Sequence, residues 1–517
     1  MRLSKALQKV GVTFWRKMAR YYDLTHLEFS SNRLYQALLK SLRDPEVIGK
    51  VMSELPENDE KLLKAIVLAQ SNGSFYDVRH WKKYSAYLNP VAEDVDPFVE
   101  LKNRGLVYTN EEEQLYAPIE IRDAVLKVLC NLAKDIDYID EDILFNSGGI
   151  RAVGDTIRFL DIVRKEEIRV TQANQLYKRD QEIFFERLDI DQEYELNIGS
   201  RLDFLFRLAE LTELAIVDDG DLKLVNKIDD WFSQPSGKIW RHIYGFWTKQ
   251  YPETPEARVA QQVLVGVISN LINEGALLKD ELLKLFEDCG GVIPAQSTNN
   301  DWWDNTINEL VYLGIMRRGA FEDKQALKVN ENAIELMKDP EKDWMEEETF
   351  ILKNDYQIIV TPYISPKILW NLSEMTEDEG SKEIYSYKIT KGSIYHALLQ
   401  GTDSQEIIEF FIKHSKTGLP DNIKQSINDW AQRFGQIYFL DACLLCCKKE
   451  GLVKEILNTP EMGQYVVGNI NENVLLINRE DYMNLLDELE ERGYMPYKDL
   501  YSAKDMPFSP LIQKEDK

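Results

Sequence analysis

Glu309-Leu310-Val311-Tyr312-Leu313-Gly314-Ile315-Met316 is the stretch on which the architecture turns. It reads as the last turn of an amphipathic helix, stopped at Gly314 and running at once into an apolar pair suited to a strand. The same grammar occurs at Glu100-Leu101 with Gly105-Leu106-Val107, and at Glu210-Leu211 with Ala215-Ile216-Val217. Each copy is followed by a polar turn, at 110–113, 218–221 and 319–324, and then by a second short apolar run at 115–119, 222–225 and 326–329. A strand, a polar turn and another strand predict a hairpin behind each helix.

Upstream of each hairpin lies a segment of helical periodicity, at 61–68, 153–163 and 259–271, with a shorter helical piece between. Two or three helices followed by a hairpin is the layout of a winged helix. The expected organisation is an N-terminal helical region over 1–52, winged helices over 53–130, 145–230 and 256–338, and a Trp-rich linker over 231–255. The competing reading is that each copy is only a common helix C-terminus; the matching hairpins favour repeats. In the linker, Trp231, Trp240 and Trp247 suit a helix anchored against neighbouring domains. After the acidic run 341–348 the pattern changes to short β-like runs (357–361, 385–389, 437–440, 465–467) alternating with helices (367–375, 393–399, 405–413, 421–434, 453–457). That predicts an α/β or α+β domain over 346–470, with a C-terminal helix and tail over 471–517. The fold class expected is mainly α with α+β.

The chain has 517 residues, 44% of them hydrophobic, enough for several cores. Lys and Arg number 62 against 88 Asp and Glu, a net charge of −26 that repels phosphate backbones unless basic groups are concentrated locally. Five cysteines, three of them bunched at Cys443, Cys446 and Cys447, do not make a secreted disulfide framework. Neither a signal peptide nor an apolar run long enough for a bilayer is seen, so a cytoplasmic location without membrane partners is expected. Arg2, Lys5, Lys9, Arg16, Lys17 and Arg20 give the amino terminus the character of a basic amphipathic helix resting on an acidic body.

No catalytic constellation emerges. G-x-x-x-x-G-K-[ST], the loop that cradles nucleotide phosphates, does not occur in the sequence, and the glycine pairs Gly148-Gly149 and Gly290-Gly291 lack its lysine. Cys443-x-x-Cys446 has no second ligand pair, so sulfur packing is favoured over zinc or redox chemistry. The histidines, His26, His80, His242, His396 and His414, are scattered. Asp219, Asp221 and Lys223 superficially resemble a nuclease strand but fall on a wing. No enzyme, cofactor or metal is expected.

A DNA-reading winged helix needs polar or basic side chains on the helix before the wing and basic wings on the phosphates. The first two wings, Asn110-Glu111-Glu112-Glu113 and Asp218-Asp219-Gly220-Asp221, are acidic, which favours protein contacts. The third has Arg317, Arg318 and Lys324, beside Glu322 and Asp323. Further along, Lys388, Lys391, Lys413, Lys416, Lys424 and Arg433 form the other basic stretch, a candidate DNA or partner contact or else a solvated face.

The run Tyr385-Ser386-Tyr387-Lys388-Ile389-Thr390-Lys391-Gly392-Ser393 and, above all, Ser415-Lys416-Thr417-Gly418-Leu419-Pro420 with Phe434-Gly435-Gln436-Ile437 resembles the amino-terminal domain of XPB-type DNA helicases. Tyr356-Gln357-Ile358-Ile359-Val360-Thr361-Pro362 is similar to that domain's opening strand. In this motif Ser415, Thr417, Gly418 and Pro420 are structural, setting a turn and a helix start. The layout as a whole resembles bacterial helicase-associated proteins and the TFIIH subunit that clamps XPB. The resemblance implies a non-catalytic factor that scaffolds or regulates a DNA helicase or other repair or transcription protein. The alternative is a direct DNA-binding protein acting through the third winged helix and the XPB-like domain.

Overall fold

The computed structural model describes residues 2–88, 96–133, 136–139, 143–145, 151–188, 198–249, 254–272, 275–294, 301–381, 384–449, 451–502 and 504–507. The chain forms two compact units, Met1–Ala431 and Gln432–Lys517. Helices predominate and every sheet is small and antiparallel, a mainly α fold with α+β parts.

The first unit opens with helices α1 (Leu3–Met18), α2 (Ser31–Ser41) and α3 (Pro45–Ser53). Three similar runs follow. The first comprises α4 (Glu57–Ser71), α5 (Val78–Leu88), α6 (Val99–Asn103), β1 (Tyr108–Thr109) and β2 (Leu115–Tyr116), with α7 (Ile119–Leu132) behind it. The second comprises α8 (Arg151–Lys165), α9 (Lys178–Arg187), α10 (Ile198–Leu211), β3 (Ala215–Asp218) and β4 (Asp221–Leu224), then α11 (Ile228–Phe232) and α12 (Ser236–Lys249). The third comprises α13 (Pro255–Leu271), β5 (Ala276–Leu278), α14 (Lys279–Asp288), α15 (Asp301–Tyr312), β6 (Met316–Phe321) and β7 (Lys324–Val329), then α16 (Glu331–Lys338).

Each run shares a pairing that no local pattern announces. A short extended piece between its first two helices adds to the last strand of its hairpin: Asp77 opposite Gln114, Arg169 opposite Asp221, and β5 on β7. Backbone bonds seal these pairs, Val78 N–H to the Glu113 carbonyl at 2.9 Å and Val170 N–H to the Gly220 carbonyl at 2.8 Å. One edge of each hairpin is thereby satisfied.

The three runs have similar element orders, and the register of the second differs from the sequence expectation. Gly105 (φ 70°) and Gly314 (φ 73°) take the left-handed position that ends α6 and α15, and the next amides reach back to the carbonyls of Leu101 and Leu310. In the second copy that position is Glu213 (φ 55°), and the Leu214 amide reaches back to Ala209. Ala209, not Leu211, is thus the equivalent of buried Leu101 and Leu310; Ala209 is buried while Leu211 is 54% exposed. A glutamate in a glycine position hid the alignment.

A single hydrophobic core runs through this unit. Helix α13 is buried along almost its whole length and packs on α4, α5 and α12. The approach to α4 is closest at Gly266, where an added Cβ would lie 2.4 Å from the Leu68 carbonyl oxygen. Gly290 (φ 80°) likewise lies against the Lys61 carbonyl, so this glycine pair serves packing. The Trp-rich linker is largely helical: Trp240 and Trp247 are buried from α12, and residues 250–253 lie outside the described set. Residues 89–95, 146–150 (with Gly148-Gly149) and 189–197, inside or beside the expected winged helices, also lie outside it.

The first unit ends with β8 (Ile351–Leu352), β9 (Gln357–Val360), α17 (Pro366–Glu374), β10 (Glu377–Ser381), β11 (Tyr385–Lys388), α18 (Lys391–Leu399), α19 (Ser404–His414) and most of α20 (Asp421–Arg433). Its sheet runs β10-β11-β9-β8. The second unit holds β12 (Cys443–Cys446), α21 (Leu452–Asn458), α22 (Pro460–Gly463), β13 (Val466–Asn471), β14 (Val474–Ile477) and α23 (Tyr482–Glu491), in sheet order β12-β14-β13. The compact units divide at 431/432, and position 470 lies within the β13–β14 hairpin. One expectation changes here. Residues 437–440 are not a strand: they carry no ladder, and the pairing begins at Cys443.

Two substitutions test this account. A non-glycine residue in the left-handed region costs roughly 1 kcal/mol, so Glu213→Gly raises chemical-denaturation stability by about that amount. Gly266→Val drives methyls into the α4 backbone and lowers it by about 1–3 kcal/mol.

Candidate interaction surfaces

The three hairpins, expected as wings and called so below, differ in what already meets them. At the first, the Asn110 side chain accepts from the Glu112 and Gln114 amides at 3.0 and 2.8 Å and shapes the turn. Its tip is met by the basic amino-terminal helix: Lys9 Nζ lies 2.8 Å from Glu111 Oε1. Both groups are solvated, so the pair orients more than it stabilises.

The third wing is covered along its edges. Phe145 pairs with Gly319 on the outside of β6, and Ile139 pairs with Ala276 on the outside of β5. Gly319 is required there, because a Cβ would come within 3.0 Å of Ile143, Leu144 and Phe145 atoms. Arg317 and Arg318, expected as contacts of an open wing, are both half-buried in β6, and Arg318 donates to Asn308 Oδ1. Asp304 on α15, the helix before the wing, pairs with Lys279.

The five lysines of the C-terminal stretch are spread over four elements and do not form one cluster of free charge. Lys388, at the end of β11, lies 3.6 Å from Glu379, and Lys416 lies 3.1 Å from Glu347. Lys391 begins α18, Lys413 lies in the last turn of α19 and Lys424 lies on α20; all three are exposed and carry no ion pair among the described residues.

The Ser415–Pro420 loop holds β8 and the residue before it. Ser415 Oγ donates to the Gly418 carbonyl at 2.8 Å and Thr417 Oγ1 to the Leu352 carbonyl at 2.7 Å. The Phe350 amide binds the His414 carbonyl and the Lys416 amide binds the Phe350 carbonyl, while Gly418 (φ 73°) makes the turn. Pro420 precedes the first residue of α20. Each motif residue has a backbone task in this loop.

A buried ionic network, which the sequence reading missed, joins the second repeat to the C-terminal sheet. Asp155 of α8 pairs with Arg201 of α10, and Arg158 of α8 pairs with Asp378 of β10 and donates to the Arg187 carbonyl. Burial opposes the Arg158 charge, but Asp378 and Asp155 outweigh it and hold the guanidinium firmly protonated. One turn on, Arg164 lies 4.1 Å over the Trp370 ring, and Lys165 Nζ donates to Asp161 and to the Ser373 and Thr376 carbonyls at 2.8, 2.6 and 3.0 Å. The available signal was the spacing Asp155, Arg158, Asp161, Arg164 on an otherwise apolar helix, an ionic stripe at three-residue intervals.

The cysteines sit in the second unit's own core, Cys443 and Cys447 buried and Cys446 half-buried. Burial pushes the Cys447 thiol up to about 11, which makes it unreactive. Among the described residues no cluster of side chains suited to a metal is found, and no helix is long and apolar enough to cross a membrane. Lys223 of the nuclease-like triplet pairs with Asp218, across the turn of its own hairpin.

Residues 350–471 match the family described as helicase conserved C-terminal domain. This chain carries a helicase-related segment. It runs from the residue before β8, through the Ser415–Pro420 loop, to the last residue of β13. No curated protein matches the chain.

One buried carboxyl sets a pH dependence. Glu309 of α15 accepts from Trp247 Nε1 at 2.7 Å, and burial pushes its pKa from 4.5 to about 7. Its counterpart Glu100 is solvated and pairs with Arg104 at 3.6 Å. With a folded pKa above the unfolded one, the stabilisation from protonated Glu309 is complete below 4.5 and is lost as pH rises through 7. Glu309→Gln keeps an acceptor for Trp247, so it leaves the unfolding free energy near pH 4.5 unchanged and raises it at pH 8 by up to about 3 kcal/mol. Denaturation at the two pH values checks this.

Proposed function

We propose that this chain is a non-catalytic, helicase-associated factor that scaffolds or regulates a DNA helicase or translocase in DNA repair or transcription, acting in the cytoplasm. Its three helix-strand-helix-helix-hairpin runs are read as winged helices, and its 350–471 segment as an XPB-amino-terminal-like domain. The observation that carries the reading is the helicase match over residues 350–471, in a sequence with no phosphate-cradling glycine loop. The two wings met by the chain's own segments, and the half-buried Arg317 and Arg318, support protein contacts over DNA contacts for these repeats.

The test is affinity capture of the full-length chain from its source cells with mass spectrometry, alongside ATP hydrolysis and duplex binding by the purified protein. The expected result is recovery of a DNA helicase or translocase, no ATP turnover, and weak, non-saturating duplex binding at moderate salt. Tight duplex binding with a steep salt slope and no helicase recovered overturns the reading in favour of direct DNA binding through the third repeat and Lys391, Lys413 and Lys424. Appreciable ATP turnover overturns the non-catalytic part.

A further inference from the structure

The three repeats invite one comparison: what covers the outer strand of each wing. Lys9 of α1 reaches the first wing's tip, while its outer strand β1 pairs with β2 alone among the described residues, and the third wing's outer strand β6 takes residues 143–145 as an added partner. The second wing takes nothing among the described residues. Strand β3 pairs with β4 alone, and its outer side has no partner there.

The geometry of that edge is defined. Asp219 (φ 52°) and Gly220 (φ 84°) form a two-residue turn of the primed kind, closed by the pair Asp218 and Asp221. In such a hairpin, alternate residues exchange backbone bonds, so Asp218 and Ile216 bond inward to β4 while Val217 and Ala215 direct N–H and C=O outward. The other strand confirms the phase. The Leu222 amide, opposite Val217, points away from β3 and binds the Ile168 carbonyl at 2.8 Å. Beside the outward groups lie Ile216 and Val217, 49% and 40% exposed. An edge that is both unpaired and apolar is a template for another strand.

Charge indicates what kind of strand. The acidic first tip faces a basic helix. The third wing's outer strand takes the apolar residues Ile143, Leu144 and Phe145 as its partner. The second tip, Asp218-Asp219-Gly220-Asp221, carries three carboxylates, with Lys223 paired to Asp218 and Arg169 opposite Asp221. We propose that the outer edge of β3 takes up an extended segment of a partner protein as an added strand, with apolar side chains beside Ile216 and Val217 and lysine or arginine beside the aspartates. This deepens the scaffold reading by assigning one of its contacts, and it rests on that reading only for the partner's role.

The probes are two nine-residue peptides, each holding Ile-Leu-Phe at its centre, one flanked by lysines and the other by glutamates. Binding to the full-length chain is followed by fluorescence anisotropy, and amide exchange is measured across 215–218. The lysine peptide binds at least tenfold more tightly than its twin and slows exchange at Val217. Val217→Pro removes an outward N–H that the hairpin itself does not use, and it weakens binding at least tenfold. A second variant, Asp218→Lys with Asp221→Lys, reverses the preference for the two peptides without touching the edge amides.

Equal binding of both peptides, unchanged binding to Val217→Pro, or no protection at 215–218 overturns the proposal. A concentration-dependent dimer that Val217→Pro dissolves overturns it too, since the edge then belongs to a second copy. Loss of peptide binding removes this contact alone. Failure of the full-length chain to retain a helicase removes the broader reading, so the two failures are distinct.

Discussion

An ionised side chain inside a protein must meet its opposite there, and α8 places Asp155, Arg158 and Asp161 inside. Their partners are not local. Arg201 comes from α10, Asp378 from β10, and the Trp370 and Ser373 groups that receive Arg164 and Lys165 from α17. Removing one member would strand a buried charge, at a cost of about 3–5 kcal/mol. The network therefore admits one arrangement of the second repeat against the helicase-related segment. Helix α12 packs on both α8 and α13, and α13 packs on α4, so that arrangement extends to the other repeats.

Backbone hydrogen bonding imposes the second constraint. A two-stranded hairpin has two edges, and every repeat settles the inner one with a strand from between its first two helices. The third repeat's outer edge is settled separately. Segment 143–145, part of the connection between the first and second repeats, covers the third repeat's wing, which ties all three together through a pairing distant in sequence. Gly319 and Gly275 make this possible, since a Cβ at either would strike the connection at Ile143 or Tyr138. The glycine in β6 is therefore a contact residue and not a weakness of the strand.

The hairpins were legible because their turns have local chemistry: Asp219-Gly220 and Glu322-Asp323 take the left-handed conformations that a two-residue connection demands. The helices were legible from their periodicity. The second repeat's register was not, because Glu213 occupies a position where a reader looks for glycine and Ala215 offers a false match. The run 437–440 has strand composition, yet Ile437, Tyr438 and Phe439 are exposed and the ladder starts later, at Cys443. β-propensity states only that a residue suits a pleated surface; whether a neighbouring strand exists is a non-local question. The same limit hid the edges covered at Ala276 and Gly319, and it made Arg317 and Arg318 look freer than they are.

The net charge of −26 gains meaning from these placements. Spread evenly, it would only keep the chain soluble and away from phosphates. Here several positive groups are matched individually to acidic ones: Lys9 to the first wing, Lys388 and Lys416 to Glu379 and Glu347, and Arg158 to buried Asp378. A polyanion would have to displace the surface pairs before engaging those lysines. A basic protein segment meets a field already attractive to it, and at physiological salt that attraction acts within about 8 Å. Long-range charge of this sign thus favours approach of basic groups over polyanions.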